Sequence, residues 1–394
     1  MKVLQVLTVL SANGEFGGPS TVASNQCAGL AERGHDVTLV AVSLGGAVAP
    51  PIRGVDVHTF PGRVIGGGSS FVRLVSPRML VWIFRHAREY DVVHVHLGRD
   101  MVSMPAARLL GILGVRYVVQ THGMVQPRAS LGHRLFDWLF TRPVLRGAST
   151  MFFLTDDEEA KLEVVTRGVG RFAHLVNGVA VTSVTSIREQ GDPPEVLFLA
   201  RLHPRKRPTV FASAAAELCV RHEARFTIAG PDEGEGASVD AIISGADSPS
   251  LPDGSARLDR QGPVSGDQVT QRVAAAAISV LPSVNEPLPM SVLEAMAAGV
   301  PVVITDSCGL ADLVEEAEAG IVVDSQTASL VHAIDRLLSN PDYARSCGLR
   351  GRAAVAEQWS IDAVVDKLEA RYQGLINSPA TQPDNEDRRG IHDS

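Results

Sequence analysis

Short runs of aliphatic and β-branched residues alternate with stretches of helical periodicity along almost all of this chain, and they do so in two successive sets. A short apolar run suits a strand buried on both faces, and a helix between two such runs must cross over the sheet. The pattern therefore calls for parallel strands with helices on both sides. In the first set the strands are expected at residues 3–10, 37–42, 55–60, 91–96, 116–121, 150–154 and 174–176. Helices are expected among them at 20–33, 76–89 and 131–146, with Gly34 and Gly147 where a helix C-cap glycine belongs. A polar stretch ending in Pro193 and Pro194 then reads as a linker. Alternation restarts with strands at 195–200, 225–229, 278–281 and 302–305, and with helices at 208–221, at 266–276 and from 291. The expected fold class is α/β, two Rossmann-like domains facing across a cleft. The first spans 1–180, the linker 181–194 and the second 195–358; a helix over 359–376 packs back on the first domain. Residues 377–394 lack apolar periodicity and are expected to be disordered.

The 394 residues suffice for two full cores, and 45% apolar with 20% charged residues is ordinary for a globular protein. Cys27, Cys219, Cys308 and Cys347 are scattered, without a CxxC pair, which argues against a zinc site or a disulfide framework and fits a reducing, cytoplasmic setting. Residues 2–10 resemble a leader, but Gln5 and Thr8 interrupt the apolar run, so a buried first strand is the better reading. No stretch reaches the ~18 uninterrupted apolar residues of a membrane span. The net charge of −8 divides unevenly: residues 1–180 hold 18 Lys and Arg against 13 Asp and Glu, the rest 18 against 31. A basic first half can meet something anionic, or can be no more than a differently charged surface.

Dinucleotide and P-loop chemistry are disfavoured. The glycine-rich turn after the first strand contains Gly14, Gly17 and Gly18 but no GxGxxG, and a Walker A loop is absent. Two other loops carry more chemistry. One follows the strand at 278–281 and leads into a helix, placing Glu286 in the loop and Glu294 one turn into the helix. Free amides at a helix start attract phosphates, and two carboxylates can grip sugar hydroxyls, although Ser291-x-x-Glu294 is equally the pattern of a capping box. The other loop follows the strand at 195–200 and contains Arg201, Arg205, Lys206 and Arg207. Cations there would stabilise charge on a departing diphosphate, or would form a solvated basic turn.

Arg201-Leu202-x-x-x-Lys206, followed by Glu286-x7-Glu294-Ala-Met-Ala-x-Gly-x-Pro, resembles the GT-B family of retaining glycosyltransferases, family 4. Gly17-Gly18, the 91–96 strand with His94 and His96, Thr121-His122-Gly123, Asn177-Gly178-Val179, Ala229-Gly230-Pro231 and Trp359-Ser360 resemble it too, in order, to about residue 376. The resemblance implies transfer of a sugar from a UDP- or GDP-sugar co-substrate, with no further cofactor. It implies that Arg201 and Lys206 hold the diphosphate, Glu294 the ribose and Glu286 the transferred sugar. His122 would lie near the reacting carbon or the outer sugar hydroxyls, Gly17 and Gly18 would admit the phosphates, and Val264 would lie near the base. The chain departs from the family where a glycine-rich loop commonly follows the first glutamate. Here Pro287-Leu288-Pro289 leaves only Leu288, Met290 and Ser291 to donate amides. No Asp-x-Asp motif is present, so a metal-independent diphosphate site is expected.

The first domain is expected to hold the acceptor, a glycan or lipid-linked molecule of polysaccharide, glycolipid or cell-envelope synthesis, with a small soluble acceptor as the alternative. Residues 71–88 and 128–146 mix arginines with Trp82, Phe84, Phe136, Trp138 and Phe140, which suits either a core face or peripheral contact with anionic lipid on the inner face of the cell membrane. A nucleotide-sugar epimerase and a catalytically silent sugar-nucleotide-binding module are the rival readings. No nucleic-acid partner is expected.

Overall fold

The computed structural model describes residues 1–10, 18–44, 51–66, 71–128, 131–181, 193–266 and 268–377. Two parallel sheets organise it. The first contains β1 (Lys2–Val9), β2 (Asp36–Ser43), β3 (Val55–Pro61), β4 (Val92–His96), β5 (Tyr117–Gln120), β6 (Thr150–Phe153) and β7 (Phe172–His174), in the order β3-β2-β1-β4-β5-β6-β7. The second contains β8 (Glu195–Leu199), β9 (Arg225–Ala229), β10 (Leu258–Gln261), β11 (Ile278–Leu281), β12 (Val302–Thr305) and β13 (Gly320–Val323), in the order β10-β9-β8-β11-β12-β13. Every strand pairing within these two sheets is parallel. Strand order reverses between β1 and β4 and again between β8 and β11. Such switch points open a crevice at the carboxyl ends of the strands.

β1 shows why the sheets are covered twice. From Val3 onward all its residues are buried, and alternate ones enter opposite cores. Val3 and Leu7 pack with Cys27 and Leu30 of α1 (Gly18–Glu32), whereas Leu4 and Val6 join Ile83, Met104 and Leu110 on the other face. The first run is thus an internal strand. All four cysteines are buried and unpaired.

The helix that follows the second domain, Ile361–Asn377, lies on the first sheet, burying Val364, Val365, Leu368 and Tyr372 beside Cys27 and Leu30. Arg33, just past the end of α1, reaches Asp366 and, at 2.9 Å, Glu369 on it. The two crossings between domains run side by side, with the Val179 amide donating to the Trp359 carbonyl at 2.9 Å and the Ile361 amide to the Val179 carbonyl at 3.0 Å.

Several local expectations are revised. The strand expected at 174–176 lies two residues earlier, and β10 and β13 add edge strands. The 131–146 helix holds a π-turn, Asp137–Thr141, closed by the Arg142 amide donating to the Asp137 carbonyl. Pro143 follows directly, and its missing N–H removes the bond that would keep an α-helical turn there. The 266–276 helix shortens to Val269–Ala274. Most of the linker and nearly all of the C-terminal segment lie outside the described residues.

Candidate active site

The loop after β8 is built as a tight basic turn. His203 accepts a hydrogen bond from the Arg205 amide at 3.1 Å, and Pro204–Lys206 forms one 3-10 turn. Arg207 then takes a left-handed φ of 55° before Pro208 opens α2 (Pro208–Leu218). Beyond β11, Asn285 also turns left-handed, φ 52°, a conformation asparagine tolerates better than most residues. The Glu286 carbonyl accepts from the Gly309 amide at 2.8 Å. These turns press the two loops together. Lys206 Nζ lies 2.7 Å from Glu286 Oε2, and an Arg205 nitrogen lies 3.4 Å from the same oxygen. Burial lowers the Lys206 pKa, and Glu286 opposes that shift. Arg201 stands farther out, exposed and forked onto both oxygens of Glu233 at 2.9 Å.

Helix α3 (Met290–Ala297) starts after Pro289, and no side-chain bond caps it. Ser291 lies inside its first turn, so the capping box that Ser291-x-x-Glu294 suggests is not formed. The half-buried Glu294 carboxylate has no hydrogen-bond or ion-pair partner among the described residues, and burial raises its pKa to about 7. The amides of Leu288, Met290 and Ser291 likewise find no acceptor among the described residues.

Across the cleft, His122 follows β5 with φ 50° and Gly123 with φ 72°, a sharp reversal at the strand end. Glu158 holds it in place. One carboxylate oxygen accepts from the Thr121 hydroxyl and the Gly123 amide, each at 2.5 Å, and the other accepts from the Leu154 amide at 2.7 Å. His122 Nε2 lies 2.8 Å from His96 Nδ1, and His96 Nε2 lies 2.7 Å from Gln5 Oε1. Burial pushes the His122 imidazole down to about 3, so it is neutral at neutral pH.

A cavity of about 270 Å³ joins the two domains, with Gly18, His122 and Glu158 on one side and Arg205, Glu286, Leu288 and Met290 on the other. The structure thus brings together Gly18, His122, Glu286, Leu288 and Met290, with Lys206 tied in through Glu286. Arg201, Ser291 and Glu294 do not line this cavity. Val264 lines a separate one of about 460 Å³ with Gln271 and Arg272, and Gly17 lies outside the described residues. A larger cavity in the first domain, about 780 Å³, shares Gly123 and Gln126 with the first and continues past Arg99 and Met124 to Phe136. Its Arg99 forks onto Asp137 at 2.9–3.0 Å.

Sequence reasoning did not find Glu158. Thr155-x-x-Glu158 is a visible helix-start pattern, and Thr155 does cap the Glu158 amide at 3.3 Å. The pattern does not reveal that the carboxylate reaches out of its own helix to the turn at His122.

Residues 183–354 match the family model "Glycosyl transferases group 1", and residues 17–178 match "Glycosyl transferase 4-like domain". The chain is 28% identical over 323 residues to alpha-D-kanosaminyltransferase of Streptomyces kanamyceticus, spanning 75% of this chain and 82% of that protein. It is 25% identical over 428 residues to D-inositol 3-phosphate glycosyltransferase of Mycolicibacterium paratuberculosis, spanning 96% of this chain and 89% of that one. In fold it resembles sucrose-phosphate synthase from Thermosynechococcus elongatus (TM-score 0.72, 18% identity, 95% and 98% of the two chains). It also resembles Anabaena HepE in complex with UDP (TM-score 0.69, 17% identity, 95% and 100%). Two facing parallel-sheet domains, each matched by its own family model, place this chain among the GT-B glycosyltransferases of family 4, group 1 type, which transfer a sugar from a nucleotide sugar.

Proposed function

We propose that this chain is a retaining, metal-independent glycosyltransferase that moves a sugar from a UDP- or GDP-sugar to the hydroxyl of a glycan or lipid-linked acceptor. The observation that carries this reading is the cavity between the two switch points, where Glu286 and the basic turn face His122 and Gly18. Arg201, Arg205 and Lys206 supply the positive charge for the diphosphate, which removes the need for a metal ion there. The amides of Leu288, Met290 and Ser291 at the start of α3, without acceptors among the described residues, suit the sugar and phosphate. A Cβ added at Gly18 would meet nothing within 4 Å, so protein packing does not demand glycine there, in keeping with room left for a ligand. Glu294, half-buried and without a partner among the described residues, suits ribose hydroxyls, and Val264 suits the base.

Retention is supported by what the carboxylates already do. Among the described residues lining the cavity, Asp157 pairs with Lys161 at 2.5 Å, Glu158 holds three donors and Glu286 pairs with Lys206. His122 is too weakly basic to take a proton at neutral pH. The acceptor oxygen therefore bonds to the anomeric carbon as the bond from that carbon to the phosphate breaks, and the acceptor's proton passes to the departing phosphate. A proton taken by the leaving group requires attack from the leaving group's own face, which keeps the anomeric configuration.

The 780 Å³ cavity is the acceptor's place in this reading. The names of the relatives, D-inositol 3-phosphate glycosyltransferase among them, favour a small soluble acceptor as the second reading. No helix among the described residues is long and apolar enough to cross a membrane. Leu135, Trp138 and Leu139, exposed on one helical face beside Arg134, support peripheral contact with anionic lipid at the inner face of the cell membrane. The purified protein is to be incubated with UDP-glucose and with GDP-mannose, with and without acceptors and in excess chelator. Acceptor-dependent nucleotide release with an α-linked product from an α-linked donor supports the proposal. Isomerised donor without acceptor, binding without turnover, or magnesium-reversible loss in chelator each overturns part of it.

A further inference from the structure

Three imidazoles lie stacked at the carboxyl ends of β4 and β5. The rings of His94 and His96 are 4.7 Å apart and 12° from parallel, and those of His96 and His122 are 5.1 Å apart and 13° from parallel. Burial pushes His94 and His122 down to about 3 and His96 well below its ordinary value, so all three are neutral at neutral pH. A neutral imidazole carries one proton, and which nitrogen bears it is set by the partner of the other.

The row begins at Gln5, whose amide oxygen faces His96 Nε2 at 2.7 Å. In this amide orientation, which leaves the buried Gln5 Nε2 without a partner among the described residues, the oxygen accepts, and His96 carries its proton on Nε2 and leaves Nδ1 bare. The bare Nδ1 in turn accepts from His122 Nε2, 2.8 Å away. His122 then has no proton left for Nδ1, which is buried and has no partner among the described residues. The ring lines the cavity that holds Glu286 and Met290.

We propose that Gln5 and His96 are positioning residues that lock His122 with its proton on Nε2, leaving Nδ1 as an acceptor-only contact for a hydroxyl of the donor sugar. The inference rests on the proposed reading of the cleft as the sugar site. The lock makes the contact one-directional: His122 takes a hydrogen bond from a hydroxyl and cannot give one to a carbonyl or ether oxygen. A donor sugar lacking that hydroxyl leaves a buried acceptor unpaired and is discriminated against.

The test is the ring nitrogen spectrum of the 15N-labelled full chain at neutral pH, with His122 assigned by His122→Asn. The expected spectrum has His122 and His96 each protonated on Nε2 and bare on Nδ1. Gln5→Leu removes the acceptor that starts the row, and His96→Phe keeps a stacked ring without Nδ1. Both are expected to give His122 a mixed tautomer, visible as averaged nitrogen shifts. A proton on His122 Nδ1 in the parent protein overturns the proposal, as does a parent tautomer that survives in both variants. The parent spectrum decides even where a variant does not fold. No sugar is needed for it, so the lock is tested apart from the site reading. Transfer unaffected by His122→Ala would sink the site reading and leave the tautomer result standing.

Discussion

Lys206 and Glu286 neutralise one another in the cleft, and this changes what a single substitution does. A charge-assisted hydrogen bond to the diphosphate is worth about 1.5–3 kcal/mol, so Lys206→Ala is expected to slow transfer by about one to two decades. It also leaves the Glu286 carboxylate, at a site only 9% exposed, with the longer Arg205 contact at 3.4 Å in place of the 2.7 Å lysine pair, and weakening a buried pair from one side destabilises the fold. The melting temperature should therefore fall by several degrees, and the double variant Lys206→Ala/Glu286→Gln should recover the melt without the activity. Parent-like turnover in Lys206→Ala would remove the lysine from the diphosphate site. Glu294 behaves differently. Its pKa, raised from 4.5 to about 7 by burial, makes it stabilising when protonated, and that contribution is lost as pH rises through 7. Ribose hydroxyls prefer the ionised form, so product nucleotide should bind more tightly at pH 8 than at pH 6 in calorimetric titration. Glu294→Gln is expected to flatten this dependence and weaken binding at pH 8 by about tenfold or more, with the melt at pH 8 unchanged or higher. A lower melt with unchanged affinity would return the residue to a structural role. Both glutamates stand out in the sequence through their eight-residue spacing, and the structure puts Glu286 on the cavity wall but not Glu294, whereas Glu158, which lines the cavity, does not stand out. Its Thr-x-x-Glu pattern marks a helix start, as does Ser291-x-x-Glu294, yet only the first forms the cap. Composition does not encode which carboxylate turns outward, because that depends on what the neighbouring strand places within reach.

The helix-and-strand alternation was legible because interior parallel strands are apolar on both faces. Edge strand β10 reads Leu-Asp-Arg-Gln with only Leu258 buried, so its sequence carries no apolar pattern. The π-turn was equally hidden, since Pro143 signals a defect but not its geometry. Two elements carry predictions of their own. The turn that presents Glu286 leans on the segment after β12, where a Cβ added at Gly309 would sit 1.9 Å from the Pro287 carbonyl oxygen. Gly309→Ala must push the Pro287-Leu288-Pro289 loop aside, and the expected outcome is weaker donor binding with intact secondary structure by circular dichroism. Unchanged donor affinity would mean that the loop's position is immaterial. The face formed by Leu135, Trp138 and Leu139 makes the membrane proposal testable as well. Co-sedimentation with vesicles containing anionic lipid should be lost in Trp138→Glu and retained with the parent protein, while neutral vesicles bind neither. Equal binding of parent and variant would assign the tryptophan no part in lipid contact.

At the scale of the molecule, the row of neutral histidines sets where acid unfolding begins. His94, His96 and His122 all belong to the first sheet and its strand ends, and His94 Nδ1 lies 2.7 Å from the Tyr372 hydroxyl of the C-terminal helix. Above pH 6.5, the ordinary imidazole value, the three are neutral both folded and unfolded, and they contribute no pH dependence. As pH falls below 6.5 the unfolded chain takes up their protons and the folded chain refuses them, so stability declines with falling pH. Buried Asp100 in the same domain opposes the decline, since its raised pKa lets the folded state hold a proton that the unfolded state releases. Three imidazoles outnumber the one carboxyl, so the net effect on the first domain is a loss of stability as pH falls below 6.5. No strand of the second sheet contains a histidine. The first domain should accordingly unfold before the second, and the C-terminal helix should loosen with it because its apolar face lies in the first domain's core. Denaturant unfolding at pH 7.5, 6 and 5, followed by hydrogen exchange in β4 and β11, measures this directly. Protection in β4 is expected to collapse toward pH 5 while β11 keeps most of its own, and His94→Phe should make the loss in β4 shallower. Equal losses in the two sheets, or a slope unchanged by His94→Phe, would show that the buried imidazoles do not govern acid stability.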